Sequence, residues 1–192
     1  MLILDLEKRI APKTRVDDYE FRFLDGSDIK QFSSQAGSDL KVDMAKLVES
    51  DSCYCFAALK NNELAAYTWF MQDTVAASYN CAGSEFQGIG ILQPTDMIYL
   101  FKAFVLPEHR GQSLNRWITH LASEFFSREN IKTVITTTDL LNTAFLHSAL
   151  TSGFSNIGYA GELVIRSRHF YYLPNTEQCN FKLISQAASS GS

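Results

Sequence analysis

The chain has 192 residues, 46% of them hydrophobic and 20% charged, a soluble globular composition that excludes wholesale disorder, a collagen-like rod and a coiled coil. Seventeen basic against twenty-one acidic side chains leave a formal net charge of -4, which repels a phosphate backbone and argues against nucleic acid as a partner. No window approaches about 18 consecutive apolar residues, and Met1 to Ile10 carry Asp5, Glu7, Lys8 and Arg9, so no membrane partner and no secretory leader is expected and the protein is read as cytoplasmic.

Residues 1–184 are expected to form a single domain and 185–192, built from Ser, Ala and Gly, a flexible tail. Along the chain, Tyr19 to Leu24 alternates Tyr19, Phe21 and Phe23 with Glu20 and Arg22, the period of a half-buried strand. A turn is predicted at Asp25-Gly26, then an amphipathic helix over 39–50 from the spacing of Leu40, Met44, Leu47 and Val48. Cys53 to Leu59 and Leu64 to Met71, joined by Lys60-Asn61-Asn62-Glu63, predict an antiparallel hairpin. Cys53 and Cys55 face one side of it and, with Cys81 and Cys179 and no C-x-x-C pair, read as packing thiols.

Ala76 to Asp96, with Gly83, Gly88, Gly90 and Pro94, predicts a long loop containing a short apolar segment at Ile89 to Leu92. Gly88-Ile89-Gly90 neither follows a strand nor opens a helix and is no dinucleotide fingerprint. Met97 to Val105, broken only by Lys102, predicts a central strand buried on both faces. Leu114, Trp117, Ile118, Leu121 and Phe125 then recur at helical spacing up to about Asn130. A strand at Thr133 to Thr138, a helix at 142–151 ended by Gly153, and strands at about Ile157 to Ile165 and His169 to Leu173 complete the order. Hairpins alternating with β-α-β crossovers imply an α/β (α+β) fold, a mixed and mostly antiparallel twisted sheet of about seven strands with helices on both faces.

The chemistry concentrates in Phe104 to Arg116, where a buried strand turns through Pro107 into a helix. The first turn of that helix is placed at Gln112 to Asn115. Helix N-termini present unpaired N–H groups and a positive dipole end, which suits a phosphate or diphosphate. No carboxylate lies in 110–116, Arg110 and Arg116 bracket the segment, and Gly111 permits close approach. An ordinary strand-to-helix turn carrying a surface arginine is the plain alternative. The four histidines, His109, His120, His147 and His169, lack metal-ligand spacing, so no metal is expected. Arg166, Arg168 and His169 read as a solvated turn, and Phe125, Phe126, Phe170, Tyr171 and Tyr172 as core or a homodimer surface.

The run Val105-x-Pro107-Glu108-His109-Arg110-Gly111-Gln112-Ser113-Leu114-Asn115 resembles the V-x-P-x-x-R-G-x-G-x-G/A signature of the GNAT acyltransferase superfamily. Asn142-Thr143-Ala144-Phe145, with Gly153-Phe154 eleven residues after the Asn, is similar to its second motif. The resemblance implies transfer of an acyl group, usually acetyl, from acetyl-CoA or another acyl-CoA to an amine. It implies a cofactor diphosphate on the amides of Gly111, Gln112, Ser113, Leu114, Asn115 and Arg116, pantetheine along Ala103, Phe104 and Val105, and Asn142 on the pantetheine side. An N–H near Phe104 or Val105 would serve as oxyanion donor.

The departures are chemical. Ser113 and Asn115 replace the two later glycines, Ala149 stands where many members place a tyrosine acid, and Thr137 stands where ribosomal-protein acetyltransferases carry a glutamate base. The remaining catalytic candidates are Tyr99, His147 and Ser148, with Asp96 as a possible holder of amine or water; His147 lies two positions, about 200° of helix, from Ala149. The reading is an acyl-CoA-dependent N-acyltransferase, with a non-catalytic acyl-CoA-binding sensor or regulatory module as the alternative.

Overall fold

In this computed structural model the described residues are 1–76, 79, 89–165, 168–172, 174–176, 179 and 181–185. The strands are β1 (Leu2–Asp5), β2 (Glu20–Leu24), β3 (Cys53–Lys60), β4 (Glu63–Met71), β5 (Thr74–Val75), β6 (Ile89–Leu92), β7 (Met97–Val105), β8 (Thr133–Thr136), β9 (Ser155–Asn156), β10 (Gly161–Ile165), β11 (Arg168–Tyr172) and β12 (Lys182–Ser185). The α-helices are α1 (Gly26–Phe32), α2 (Leu114–Arg128) and α3 (Thr143–Thr151). Seven strands form one mixed sheet in the order β2-β3-β4-β7-β8-β1-β9. Its neighbours are antiparallel except β7 and β8, which run parallel.

Both faces of this sheet are covered, which explains why β4 and β7 read as nearly continuous apolar runs. One layer packs Ile29 and Phe32 of α1 on Cys55, Tyr67, Trp69, Tyr99 and Phe101. The other packs Leu114, Ile118, Ala122 and Phe126 of α2 on Phe56, Ala66, Phe70, Ile98 and Leu100. Burial pushes the Cys53 thiol up to about 12 and Cys55 well above its ordinary value, so both are neutral packing groups; Cys81 lies outside the described residues.

Several expectations change. The Asp25-Gly26 turn is the start of α1: the Asp25 carboxylate accepts from Ser27 N and Asp28 N, and Asp28 answers by accepting from Asp25 N. The 39–50 helix is a 3-10 segment, Val42–Glu49, whose N-cap Lys41 makes no side-chain cap bond. Strand β1 was not anticipated, because four residues are too few to display a period. The strand expected at Ile157 to Ile165 is only β10, from Gly161 on, which pairs with β11 in a two-stranded sheet, while the two residues just before that segment form β9 on the main sheet. The apolar segment Ile89–Leu92 is β6, held between β5 and β12 in a three-stranded sheet.

Gly83, Gly88, Arg166, Leu173 and the tail beyond Ser185 lie outside the described residues. Of the aromatics read as core or interface, Phe126 is core, whereas Phe170 and Tyr172 are exposed. Among the described residues no helix is long and apolar enough to cross a membrane, and no group of three or more His, Cys, Asp or Glu could hold a metal ion.

Candidate active site

The site is built where β7 loses one neighbour. Its parallel pairing with β8 ends at Leu100 and Thr136, while pairing with β4 continues to Val105. Thr136 Oγ1 donates to Leu100 O at 2.9 Å and closes the crotch between the strands. From Phe101 onward one edge of β7 therefore has no strand partner among the described residues. A bulge sits there: Ala103 pairs with Thr68 and Phe101 with Trp69, and the extra residue, Lys102, has φ +42.

Hydrogen-bond alternation decides which residues use the open edge. Leu106 N donates to Ala65 O at 2.9 Å, so in an antiparallel pair Phe104 also turns its main-chain groups to β4, and Val105 and Ala103 turn theirs away. Pantetheine pairing thus fits Ala103 and Val105 and not Phe104, and the expected oxyanion donor falls on Val105. Val105 O accepts from Arg110 Nε at 3.3 Å.

After Leu106 a 3-10 turn, Pro107–His109, leads to Arg110, Gly111 at φ +80 and Ser113 at φ +59. The main-chain N–H groups of Gly111, Gln112, Ser113, Leu114 and Asn115 have no acceptor among the described residues; the first helical donors, Arg116 N and Trp117 N, bond to Ser113 O. A Cβ on Gly111 would meet nothing within 4 Å. A run of unpaired amides with left-handed residues among them, at a helix N-terminus lacking acidic side chains, is the backbone pattern that binds phosphate. The donor set fits a diphosphate.

The side chains around it differ from expectation. The helix begins at Leu114 and not Gln112, because Ser113 is left-handed and makes no cap bond. Arg116 does not bracket the segment: its Nη2 donates to Thr151 O at 2.9 Å and ties α2 to α3. Leu114 is core, so only its amide faces the loop. Asn142 caps α3 through Oδ1, which accepts from Phe145 N at 3.2 Å, leaving its amide NH₂ as the group for a ligand.

The catalytic candidates do not converge. Strand alternation sends Tyr99 into the α1 layer, where it is 1% exposed, whereas α3 lies on the opposite face with Phe145, Leu146 and Ala149 in the α2 layer. His147 is exposed, and the Ser148 carbonyl takes bonds from Thr151 Oγ1 and Ser152 Oγ. Tyr99 Oη lies 2.6 Å from Thr137 Oγ1, and burial raises its pKa, so the phenol is neutral. Asp96 sits at the far end of β7, paired with Lys132 at 3.4 Å.

One cluster was missed. Lys102 Nζ lies 3.0 Å from Asp39 O and 3.3 Å from Asp39 Oδ2, and 5.8 Å from the centre of the Tyr67 ring. The Tyr67 hydroxyl donates to the Asp39 carboxylate. Its three members come from three separate segments; the one signal in sequence is a lone charge, Lys102, within an apolar strand. A cavity of about 600 Å³ also borders the 107–112 turn, on the side of the β3–β4 hairpin; its lining sets Asp17, Asp18, Glu63 and Glu108 against Arg15 and Lys60, an excess of acid that disfavours phosphate.

No family model matches the chain, and no curated protein matches it by sequence. Solved structures do match. The aminoglycoside N-acetyltransferase AAC(6')-Iy in complex with CoA aligns with a TM-score of 0.54 at 13% identity, over 82% of this chain and 99% of that one. An aminoglycoside acetyltransferase from an uncultured soil metagenomic sample aligns with a TM-score of 0.52 at 16% identity, over 82% and 97%. A ribosomal-protein-alanine N-acetyltransferase from Brucella melitensis biovar Abortus 2308 aligns with a TM-score of 0.53 at 11% identity, over 77% and 98%. At these identities the likeness is one of fold, and the fold is that of the GNAT acetyltransferases.

Proposed function

We propose that this chain, built on the GNAT fold, is an acyl-CoA-dependent N-acyltransferase that moves an acyl group, acetyl in the simplest case, to a primary amine by direct attack in a ternary complex. The observation that carries the reading is the run of five main-chain N–H groups, Gly111 to Asn115, without acceptors among the described residues, beside the freed edge of β7. CoA in the AAC(6')-Iy complex and the amine-bearing acceptors named for the neighbouring folds support both substrates.

When bound, acyl-CoA supplies an activated thioester carbonyl. The Gly111–Asn115 amides and the positive end of α2 hold the diphosphate. Ala103 and Val105 pair the pantetheine arm through main-chain groups, and Val105 N–H is the donor for the carbonyl oxygen as negative charge develops there. Asn142 contributes its amide NH₂ from the α3 side. An N–C bond forms and the C–S bond breaks, and the proton lost by nitrogen balances the one gained by sulfur. Thr137 and Ala149 cannot exchange protons at neutral pH, and Tyr99 is sealed in the core, so solvent carries the proton and rate comes from positioning.

The test is calorimetric titration with CoA and acetyl-CoA, coupled to thiol release with a panel of primary amines. Binding with amine-dependent release is expected. Absence of CoA binding overturns the reading, and tight binding with no release above background reduces it to the acyl-CoA-binding module.

A further inference from the structure

A lysine inside a buried strand normally leaves it or finds compensation. Here the bulge at Lys102 turns the side chain onto the α1 face, where it meets a carboxylate, a carbonyl and an aromatic ring. Those groups are the natural ligands of a primary ammonium: two oxygen acceptors and a π-face. The site is prepared independently of Lys102. Gln35 clamps the loop after α1 to β4, donating from Nε2 to Leu64 O at 2.8 Å and accepting from Leu64 N at 2.7 Å. The neighbouring Leu40 is 4% exposed and anchors Asp39 in place. Burial, and then the Asp39 bond, hold the Tyr67 hydroxyl well above its ordinary pKa, so it remains a donor to the carboxylate.

Position gives this cluster its meaning. Lys102 directly precedes Ala103, one of the two residues whose main chain faces the open edge, and Phe104 lies against the Tyr67 ring with centroids 5.9 Å apart. The Lys102 side chain is 28% exposed and that of Asp39 45%, so both can be reached from solvent, and a partly solvated ion pair of this kind is displaced at modest cost.

We propose that the Asp39 carboxylate, the Asp39 carbonyl and the face of Tyr67 form an ammonium-binding site, which Lys102 fills in the free protein and yields to a cationic amine of the acceptor. An amine held there stays protonated and has no lone pair for attack. The acceptor therefore carries at least two amines, one anchored at Asp39 and another free to reach the thioester. The anchoring step stands on the cluster alone; its role in transfer rests on the acyltransferase reading.

The experiment titrates 1,4-diaminobutane calorimetrically into the full chain and into Lys102→Met, Asp39→Asn and Asp39→Glu, each checked for unchanged circular dichroism and for CoA affinity. Lys102→Met is expected to bind the diamine about fivefold more tightly than wild type, since the competing ion pair is gone. Asp39→Asn abolishes binding and Asp39→Glu restores it in part. Thiol release from acetyl-CoA is expected with 1,4-diaminobutane and not with n-butylamine. Unchanged diamine affinity in Lys102→Met, or undiminished affinity in Asp39→Asn, overturns the site; equal turnover of n-butylamine overturns the two-amine requirement. A wild-type chain that binds the diamine but not CoA keeps the ammonium site and loses the transferase.

Discussion

Ser113 carries a conformational load in the turn that leads into α2. Its φ of +59 belongs to the left-handed region, which costs a residue with a Cβ about 1–2 kcal/mol, and its hydroxyl makes no cap bond in return. Ser113→Gly removes that strain and gives back about 0.5–1 kcal/mol through the freer unfolded chain. The expected net gain is up to about 1.5 kcal/mol, read as a higher urea midpoint, with CoA affinity retained or improved. Ser113→Val is expected to move both the other way. The importance of this residue was legible in the Val105–Asn115 run, but its backbone angle was not, and neither was the partnership of Asp39, Tyr67 and Lys102. Residues 28 and 35 positions apart in sequence meet only when β4 and β7 are paired and the loop after α1 is laid over them. Tyr99 shows the same limit: its place in an apolar run indicated burial, while its distance from His147 and Ser148 followed from which layer each element covers.

Helix α1 is short, and its stability is concentrated at one end. Asp25 is held below the usual carboxylate range first by the Ser27 hydroxyl and then by Asp28 N, and Asp28 first by its bond to Arg22. Groups with depressed folded pKa values contribute stability that is fully present above the unfolded carboxylate value, about 4, and is lost as pH falls through the folded value. Urea midpoints are therefore expected to decline gently below about pH 6.5, because burial lowers the His120 pKa and the unfolded chain takes up that proton first, and then to fall more steeply below about pH 4; Asp28→Asn is expected to flatten that steeper acid limb while lowering stability above it. An acid limb unchanged in Asp28→Asn would refute this origin. The helix escaped periodicity because its two buried residues, Ile29 and Phe32, make a single i, i+3 pair. The cap residues Asp25 and Asp28 were the available signal. The Val42–Glu49 segment had the apolar spacing of an α-helix and lacked a capping residue at Lys41, and the tighter 3-10 winding is a local outcome that spacing alone does not distinguish.

At the scale of the molecule, the sheet is a partition between two cores. Phe126 of α2 anchors the second of them, packing edge-on against Phe70 of β4 at 5.0 Å and Tyr54 of β3 at 5.5 Å between ring centroids. Phe126→Ala is expected to cost about 3–5 kcal/mol by chemical denaturation and, under the proposed function, to weaken CoA binding because the 111–115 amides lead into the first turn of α2. A loss below about 1 kcal/mol would mean that α2 is held elsewhere. Composition, the two-sided apolar runs of β4 and β7, the amphipathic α2 and the Pro107–Asn115 turn are local properties of the chain, and each is set by neighbours within a few turns or strand lengths. Those determined the layered mixed sheet and the presence of a helix start free of acidic side chains. Tertiary structure decided where β8 parts from β7, which main-chain groups of Ala103 and Val105 remain unclaimed, which carbonyl each arginine reaches, and which loop covers Lys102. Most of these depend on register and on contacts between distant segments, and a one-residue slip in the pairing of β7 with β4 would exchange the groups it turns to β4 with those it leaves free.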